Sequence, residues 1–349
     1  MAAVRWGFRR PPVVSPVVAR AEERLAERYG WNLPVFRGEV AVDESGGSGA
    51  FLLAAPDAFL QQGARPPDVL RLNRWMRFGN AVFQLQNVFN IAERYGVQRI
   101  EFPKPHPFFA GSRAGAFHLD WQPSAELSSI TGEFFFLAAL GQRPTSVEQA
   151  RALARYVRPL LVPRLREPHP RVRDGDMVLH FRAGDIFARE GFINPQYGQP
   201  PLAYYLAAVD RERPSRVWLV FEDRGNPCID AAEAALRERG FEVLTQSGEL
   251  AADLHLLLHA PCLVGSVGTF CPAIAALSTR TRKIYLFGSR IQSLQDLGVH
   301  IVEGRDRQGA YNRAVRSMNW QASPEQIALM LSYPADALDF VDHEPIPPL

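Results

Sequence analysis

At 349 residues the chain is too long for one ordinary core and fits two domains of roughly 150 residues each. Its 47% apolar and 22% charged residues are those of a soluble globular protein, and a formal net charge of +2 excludes a general nucleic-acid surface. The three cysteines, Cys228, Cys262 and Cys271, have no CxxC spacing and indicate neither a disulfide framework nor a structural zinc site, so a reducing compartment is the simpler reading. The stretch from Met1 to Arg20 holds only short apolar pieces around Pro16, too little for a signal sequence or a spanning helix. The expectation is therefore a cytoplasmic protein, with peripheral contact to a membrane left open and no signal for an oligomeric state.

After an Arg/Pro-rich start, Ala19 to Tyr29 reads as a polar helix and the Gly/Ser-rich run from Asp43 to Gly49 as a loop. Asp68 to Leu72 is a short strand, followed by a helix from about Asn80 to Tyr95. In that helix Val82, Leu85, Val88, Phe89 and Ala92 recur at the spacing of one buried face, and Gly96 supplies a C-terminal cap. Val97 to Phe102 completes a βαβ unit. Pro103, Pro105 and Pro107 with several aromatics break the rhythm, and the segment to Gly141 reads as loops and small elements rather than more sheet. A helix is expected over Ser146 to Val162 and a linker over Pro163 to Asp176.

Beyond the linker the alternation is regular. Strands are expected over Met177–Phe181, Arg216–Phe221, Phe241–Thr245, Cys262–Gly265 and Lys283–Phe287, with helices over Pro201–Asp210, Cys228–Arg239, Glu249–His259 and Phe270–Leu277 between them. Strands separated by helices of this length imply a parallel, doubly wound sheet. Ser323 and Pro324 start a late helix as N-cap and first helical residue. The expected architecture is α/β, two Rossmann-like doubly wound domains facing a central cleft, which resembles the GT-B arrangement of many two-domain, sugar-nucleotide-dependent glycosyltransferases and by itself leaves the function open. The boundaries are 1–165 for an N-terminal domain on the acceptor side, 166–310 for a C-terminal nucleotide-sugar-binding domain, and 311–349 for a C-terminal helix and tail.

The chemistry concentrates at strand ends of the second half. Ligands of open α/β sheets bind outside the carboxyl ends of the strands, and the first of these strands runs straight into His180, Arg182, Gly184 and Asp185. Arg182 stands where a bidentate donor to a phosphate is needed. A structural Arg–Asp pair is the alternative there. Glu222 and Asp223 end the next strand, Asp253 sits on a helix before the fourth, and Gly265-Ser266-Val267-Gly268-Thr269-Phe270 turns from strand to helix. Such a turn offers backbone N–H groups and hydroxyls to an anion, although Ser266 and Thr269 also suit ordinary helix capping. His255 and His259 lie four residues apart on a helix, but the glutamate of HExxH is missing and the leucines between them read as core. No metal site is expected. The aromatics Phe108, Phe109, Phe117, Trp121, Phe134, Phe135 and Phe136 suit either a sugar-acceptor groove or a core.

His180-Phe181-Arg182-Ala183-Gly184-Asp185 resembles the HxRxGD signature of the fucosyltransferase superfamily, which includes α1,2-, α1,6- and protein O-fucosyltransferases and bacterial nodulation fucosyltransferases. Four further pieces follow in the family's order. Phe78 to Gln84 resembles the GN..FQ turn-helix of the α1,2 branch, Pro201 to Tyr205 its LP..YY helix start, and Val220 to Asp223 its FSDD strand end. The two runs Asp253–Leu257 and Val264–Phe270 resemble its DF..L and I.SxSSFS segment. The family departs from this sequence at three places: Ala183 stands where many members have a second arginine, Glu222 replaces a serine, and Cys271-Pro272-Ala273 replaces a Ser-Trp-Trp run.

The resemblance implies a metal-independent, inverting transferase that moves fucose from GDP-fucose to a carbohydrate hydroxyl. The nucleotide sugar would be a substrate and no cofactor would be needed. Carried over by position, Arg182 holds the β-phosphate, His180 the nucleotide side, Asp253 the base or ribose, and Ser266, Gly268, Thr269 and Phe270 the diphosphate and its surroundings. Gly79 and Asn80 approach the donor from the first half, and Glu222 lies beside it. Glu190 stands at the spacing of the family's base on the acceptor hydroxyl, with Asp185 as the other carboxylate; Glu190 also suits a solvated loop beside Arg189. Arg77 or Arg189 would replace the contact missing at Ala183. The alternatives are a transferase using another nucleotide sugar, and a non-catalytic sugar-nucleotide-binding protein of the same fold.

Overall fold

The computed structural model describes residues 68–72, 74–122, 129–132, 134–135, 144–187, 193, 195, 197–315 and 319–347, with only the backbone at 129–132. The readings for Ala19 to Tyr29 and Asp43 to Gly49 lie outside the described residues, as do Phe136, Arg189 and Glu190. The chain divides into two compact units: one of Met1–Met76, Gln84–Pro107 and Gly111–Thr145, the other of Arg77–Phe83, Phe108–Ala110 and Ser146–Leu349. The continuous part of the second unit runs from Ser146, and two short earlier segments belong to it as well.

Strand β1 (Val69–Leu72) leads to helix α1 (Phe78–Tyr95), whose residues up to Phe83 belong to the second unit and the rest to the first, and then to β2 (Arg99–Glu101). The expected apolar face of α1 is fully buried at Val82, Leu85, Val88, Phe89 and Ala92, and Gly96 closes the helix at φ +68°. The segment read as loops adds three more strands, β3 (Arg113–Ala114), β4 (Phe117–Asp120) and β5 (Ser129–Gly132). The sheet order is β3-β4-β2-β1-β5, with β4, β2, β1 and β5 parallel and β3 antiparallel to β4. No proline falls between Pro107 and Pro123, so nothing prevents Phe117 and Leu119 from packing inward on alternate positions of β4.

The second unit opens with α2 (Ser146–Ala152), and the single helix expected to Val162 breaks into a π-helical turn (Leu153–Val157) and a 3-10 turn (Arg158–Leu160). Pro159 is the cause: it has no N–H to donate and its ring crowds the carbonyl four residues back. The expected linker instead contains a helical turn, α3 (Pro163–Arg166), that buries Leu165. There follow β6 (Asp176–Phe181), α4 (Leu202–Glu212), β7 (Arg216–Phe221), α5 (Pro227–Glu238), β8 (Glu242–Ser247), α6 (Leu250–Leu258), β9 (Cys262–Val264), α7 (Phe270–Leu277) and β10 (Lys283–Phe287). Helix α8 (Gln292–Asp296), β11 (His300–Asp306), α9 (Ala310–Val315), α10 (Pro324–Ser332) and β12 (Leu338–His343) complete the unit. Ser323 caps α10 in a reciprocal pair with Gln326. The expected tail is therefore partly sheet, because β12 pairs antiparallel with β11.

The seven strands run β8-β7-β6-β9-β10-β11-β12, all parallel except β12. Counted from β6, the parallel strands stand in the order 3-2-1-4-5-6, that of a doubly wound nucleotide-binding sheet. Strands β6 and β7 are buried almost throughout, and Phe181, Tyr204, Tyr205, Leu219, Phe221 and Tyr285 form part of one continuous core with them. The chain is thus α/β, with a parallel-rich sheet in each unit. Among the described residues no helix is long and apolar enough to cross a membrane.

Candidate functional site

The strand order reverses between β6 and β9, the switch point at whose carboxyl end ligands of doubly wound sheets bind. The residues singled out by sequence come together at that point. His180, near the end of β6, shares a 2.9 Å hydrogen bond between Nδ1 and Ser266 Oγ in the turn after β9. Its ring lies 4.9 Å from that of Phe270, the first residue of α7. Desolvation pushes the imidazole down to about 3, with the charge of Arg182 adding to it, so His180 is neutral near pH 7. It is a neutral hydrogen-bonding group here and contributes no positive charge toward a phosphate.

The charge comes from two arginines. Arg182 makes a two-point contact with Asp185, Nε to Oδ1 at 3.1 Å and Nη2 to Oδ2 at 2.8 Å, while its guanidinium lies 4.0 Å over the ring of Tyr197. Arg77, 108 residues earlier, donates from Nη1 to the same Oδ2 at 2.6 Å. Burial alone would raise the Asp185 carboxyl, but the hydrogen bonds and charges of Arg182 and Arg77 outweigh it and hold the group below the usual carboxylate range. One carboxylate shared by two guanidinium groups leaves a net positive charge. A carboxylate held in that state is a poor proton acceptor, so the geometry suits Asp185 to orienting Arg182 rather than to acting as a base.

The turn from β9 into α7 is shaped around this cation. Gly268 takes φ +123°, a conformation that L side chains rarely adopt, and a Cβ there would lie 3.1 Å from Arg182 Nη1. Ser266 and Thr269 do not cap α7: Ser266 Oγ holds His180, and Thr269, at the N-cap, donates from Oγ1 to Asn80 Oδ1 and makes no cap hydrogen bond. Ordinary capping is therefore excluded for both. An uncapped helix amino end beside two guanidinium groups is a strong local anion site.

Gly79 brings the first turn of α1 against α7. A Cβ at Gly79 would stand 2.8 Å from Phe270 Cα and 2.9 Å from its N, both backbone atoms that cannot swing aside. Gly79→Ala is expected to cost about 1–3 kcal/mol through overpacking, read from urea unfolding. Unchanged stability would show that the two helices part freely.

Glu222 and Asp223 are exposed at the end of β7. Asp223 accepts the N–H groups of Gly184 at 3.2 Å and Gly225 at 2.7 Å, fixing the loop that carries Asp185. A carboxylate oxygen of Glu222 reaches within 2.5 Å of the position a Cβ of Gly184 would take, and Gly184 has φ +49°. Asp253 is buried on α6; desolvation raises its carboxyl, the charge of Glu222 adds to the rise, and a 3.3 Å bond from Gln246 opposes it. Three partners of the site were not among the residues that sequence reasoning placed there. Tyr197 lies in a Gln/Pro/Gly-rich stretch that carries no signal. Asn226 was readable as an N-cap ahead of Pro227; it accepts the Cys228 N–H and also donates to the Arg182 carbonyl at 2.9 Å. Trp320 donates to the Ile186 carbonyl at 2.7 Å and supports the loop from behind.

His255 and His259 are engaged with backbone, His255 Nε2 with the Glu167 carbonyl and His259 Nδ1 with the His255 carbonyl, each at 2.8 Å. Among the described residues no group of three or more His, Cys, Asp or Glu side chains could hold a metal ion. Burial pushes the Cys228 thiol well up and the Cys262 and Cys271 thiols up to about 12, which makes all three poor nucleophiles.

No family model matches the sequence, and no curated protein matches it. Solved structures similar to the chain include POFUT1 in complex with GDP, at 12% identity and a TM-score of 0.41 over 63% of this chain and 98% of that one. A complex of POFUT1 with GDP-fucose is similar at 13% identity and a TM-score of 0.40, over 64% and 98% of the two chains. The ADP-heptose LPS heptosyltransferase II of E. coli is similar at 14% identity and a TM-score of 0.32, over 64% and 85%.

Proposed function

We propose that the protein is an inverting glycosyltransferase that takes its sugar from a nucleoside diphosphate, with GDP-fucose as donor and a carbohydrate hydroxyl as acceptor. The observation that carries this reading is the joining of Arg182, Arg77 and the uncapped amino end of α7 at the switch point of a 3-2-1-4-5-6 sheet. A diphosphate is the anion such a site suits, and the HxRxGD resemblance supplies the choice of GDP-fucose. In the reaction the acceptor oxygen attacks the anomeric carbon, the bond from that carbon to the β-phosphate oxygen breaks, and GDP leaves with the electron pair. Arg182, oriented by Asp185 and Tyr197, would meet the charge that grows on the β-phosphate, and α7 would add its dipole. Charge supplied in this way needs no metal. The proton of the acceptor hydroxyl goes to Glu190, the carboxylate at the spacing of the family's base, since Asp185 is committed to two arginines.

A thermal-shift panel of GDP, UDP, dTDP, CMP and ADP tests the donor. At a hundred times its Kd, GDP is expected to add about 2.7 kcal/mol of stability and raise Tm, while the others leave it unchanged. Stabilisation by UDP or ADP instead would assign another nucleotide sugar. Release of GDP from GDP-fucose in the presence of acceptor and EDTA then separates a metal-independent transferase from a protein that only binds the nucleotide.

A further inference from the structure

The carboxyl edge of the first unit's sheet carries a second cluster with no part in the anion site. Trp75 follows β1, Phe102 follows β2 directly and Trp121 follows β4 directly, so parallel strands deliver three aromatic side chains to one edge. The Trp75 ring stacks on Phe102 at 5.0 Å and 23°, and Trp121 lies 4.6 Å from Phe102 at 33°. The two indoles are 6.2 Å apart and within 28° of parallel. Phe102 is fully buried, whereas both tryptophans remain partly open to solvent. Of the other sequence-selected aromatics of this half, Phe108, Phe109, Phe117 and Phe134 are core and Phe135 is half-buried.

Two features make this cluster more than an exposed piece of core. Each indole N–H is already used, Trp75 Nε1 on the Lys104 carbonyl at 2.8 Å and Trp121 Nε1 on the Gly111 carbonyl at 2.7 Å. The rings are thereby fixed in orientation, and the part of each left for a ligand is apolar. The rim, in contrast, is polar: exposed Lys104, the carboxylate of Asp120 beside Arg99 at 2.7 Å, and His106, whose ring meets Trp75 edge-on at 4.8 Å. Desolvation pushes His106 down to about 4, so it is a neutral ring at physiological pH. A pyranose matches that combination. Its C–H face is weakly positive and packs on the negative face of an indole, while its equatorial hydroxyls reach outward to charged and amide partners. A purely apolar ligand would leave the rim unused.

We propose that Trp75 and Trp121 form a carbohydrate-binding platform that holds a pyranose ring of the acceptor by stacking. The assignment to the acceptor rests on the glycosyltransferase reading; the stacking itself does not. The test follows the indole N–H resonances of the 15N-labelled full chain, assigned through Trp75→Phe and Trp121→Phe, during titration with cellobiose, lactose, maltose and chitobiose. At least one disaccharide is expected to shift the Trp75 and Trp121 resonances, and Trp121→Ala is expected to weaken that binding at least tenfold. The melting curve and GDP titration of Trp121→Ala, run beside it, establish that the variant is folded. No indole shift with any of the four sugars, or binding that survives Trp121→Ala unchanged, overturns the platform. GDP binding without sugar binding sinks the platform alone. Sugar binding without GDP binding sinks the donor assignment and leaves the platform standing.

Discussion

Arg182→Ala is expected to lower GDP affinity by about 3 kcal/mol, roughly a hundredfold, while leaving the fold nearly as stable as before. The two halves of that expectation have separate causes. A guanidinium that donates to a phosphate makes charge-assisted hydrogen bonds, and removing it leaves the anion with Arg77 and the amino end of α7 alone. The pair Arg182 makes with Asp185 is partly exposed, 21% and 27% by side chain, and such pairs contribute about 1 kcal/mol or less to folding. If Arg182 were there only to anchor a turn, the order would be reversed, with stability lost and nucleotide affinity kept. Calorimetric titration with GDP and urea unfolding of the same variant decide between these outcomes. Arg182→Lys is a finer probe. Lysine keeps the charge but loses the planar fork and the stacking on Tyr197, so an affinity between wild type and Arg182→Ala is expected.

Much of this site was legible because its chemistry sits at the ends of strongly apolar strands. Val217 to Phe221 is an unbroken apolar run ending in Glu222-Asp223, and the alternation of such runs with helices gave the parallel sheet without further information. The strands that escaped notice lack that signature. Along β11, Glu303 pairs with Arg305 and His343, so its charges resemble a loop until β12 lies beside it to meet them. Strand β4 has only four residues and buries alternate ones, too short a pattern to stand out among the aromatics around it. The motif from His180 to Asp185 singled out side chains that the structure gathers at one strand end, but not their partners. Nothing in the sequence places Arg77 on Asp185, or Ser266 on His180; the second contact follows from β9 lying beside β6 in space. Asp185 shows the consequence most clearly: a strand-end carboxylate is a candidate base by residue type, and two arginines make it an orienting anion.

The largest loss of stability is expected from Asp176→Ala, at the opposite end of β6, the strand that runs into Arg182. The Asp176 side chain is fully buried and accepts Arg216 Nε at 2.9 Å, Arg216 Nη2 at 2.7 Å, Trp218 Nε1 at 3.0 Å and the Arg173 N–H at 2.9 Å. These bonds tie the first residue of β6 to β7. Removing the carboxylate strands the Arg216 cation among buried groups, which costs about 3–5 kcal/mol, measured by urea unfolding at pH 7. Burial would raise the Asp176 carboxyl, but the Arg216, Arg173 and Trp218 bonds prevail and hold it low. A folded-state pKa below the unfolded value means that the contribution is complete above about pH 4 and is lost as pH falls through the folded pKa. The stability of the wild type should therefore drop more steeply in acid than that of Asp176→Ala, and the two should converge. Asp176 is six residues from Arg182 along the chain, about 20 Å in extended strand, so the folded fraction of the variant should bind GDP with wild-type affinity. Arg182→Ala and Asp176→Ala then give opposite results on one strand, binding lost with the fold kept and the fold weakened with binding kept. A stability change below about 1 kcal/mol for Asp176→Ala would mean that Arg216 finds another partner or water, and that β6 is not held at its amino end by this buried pair.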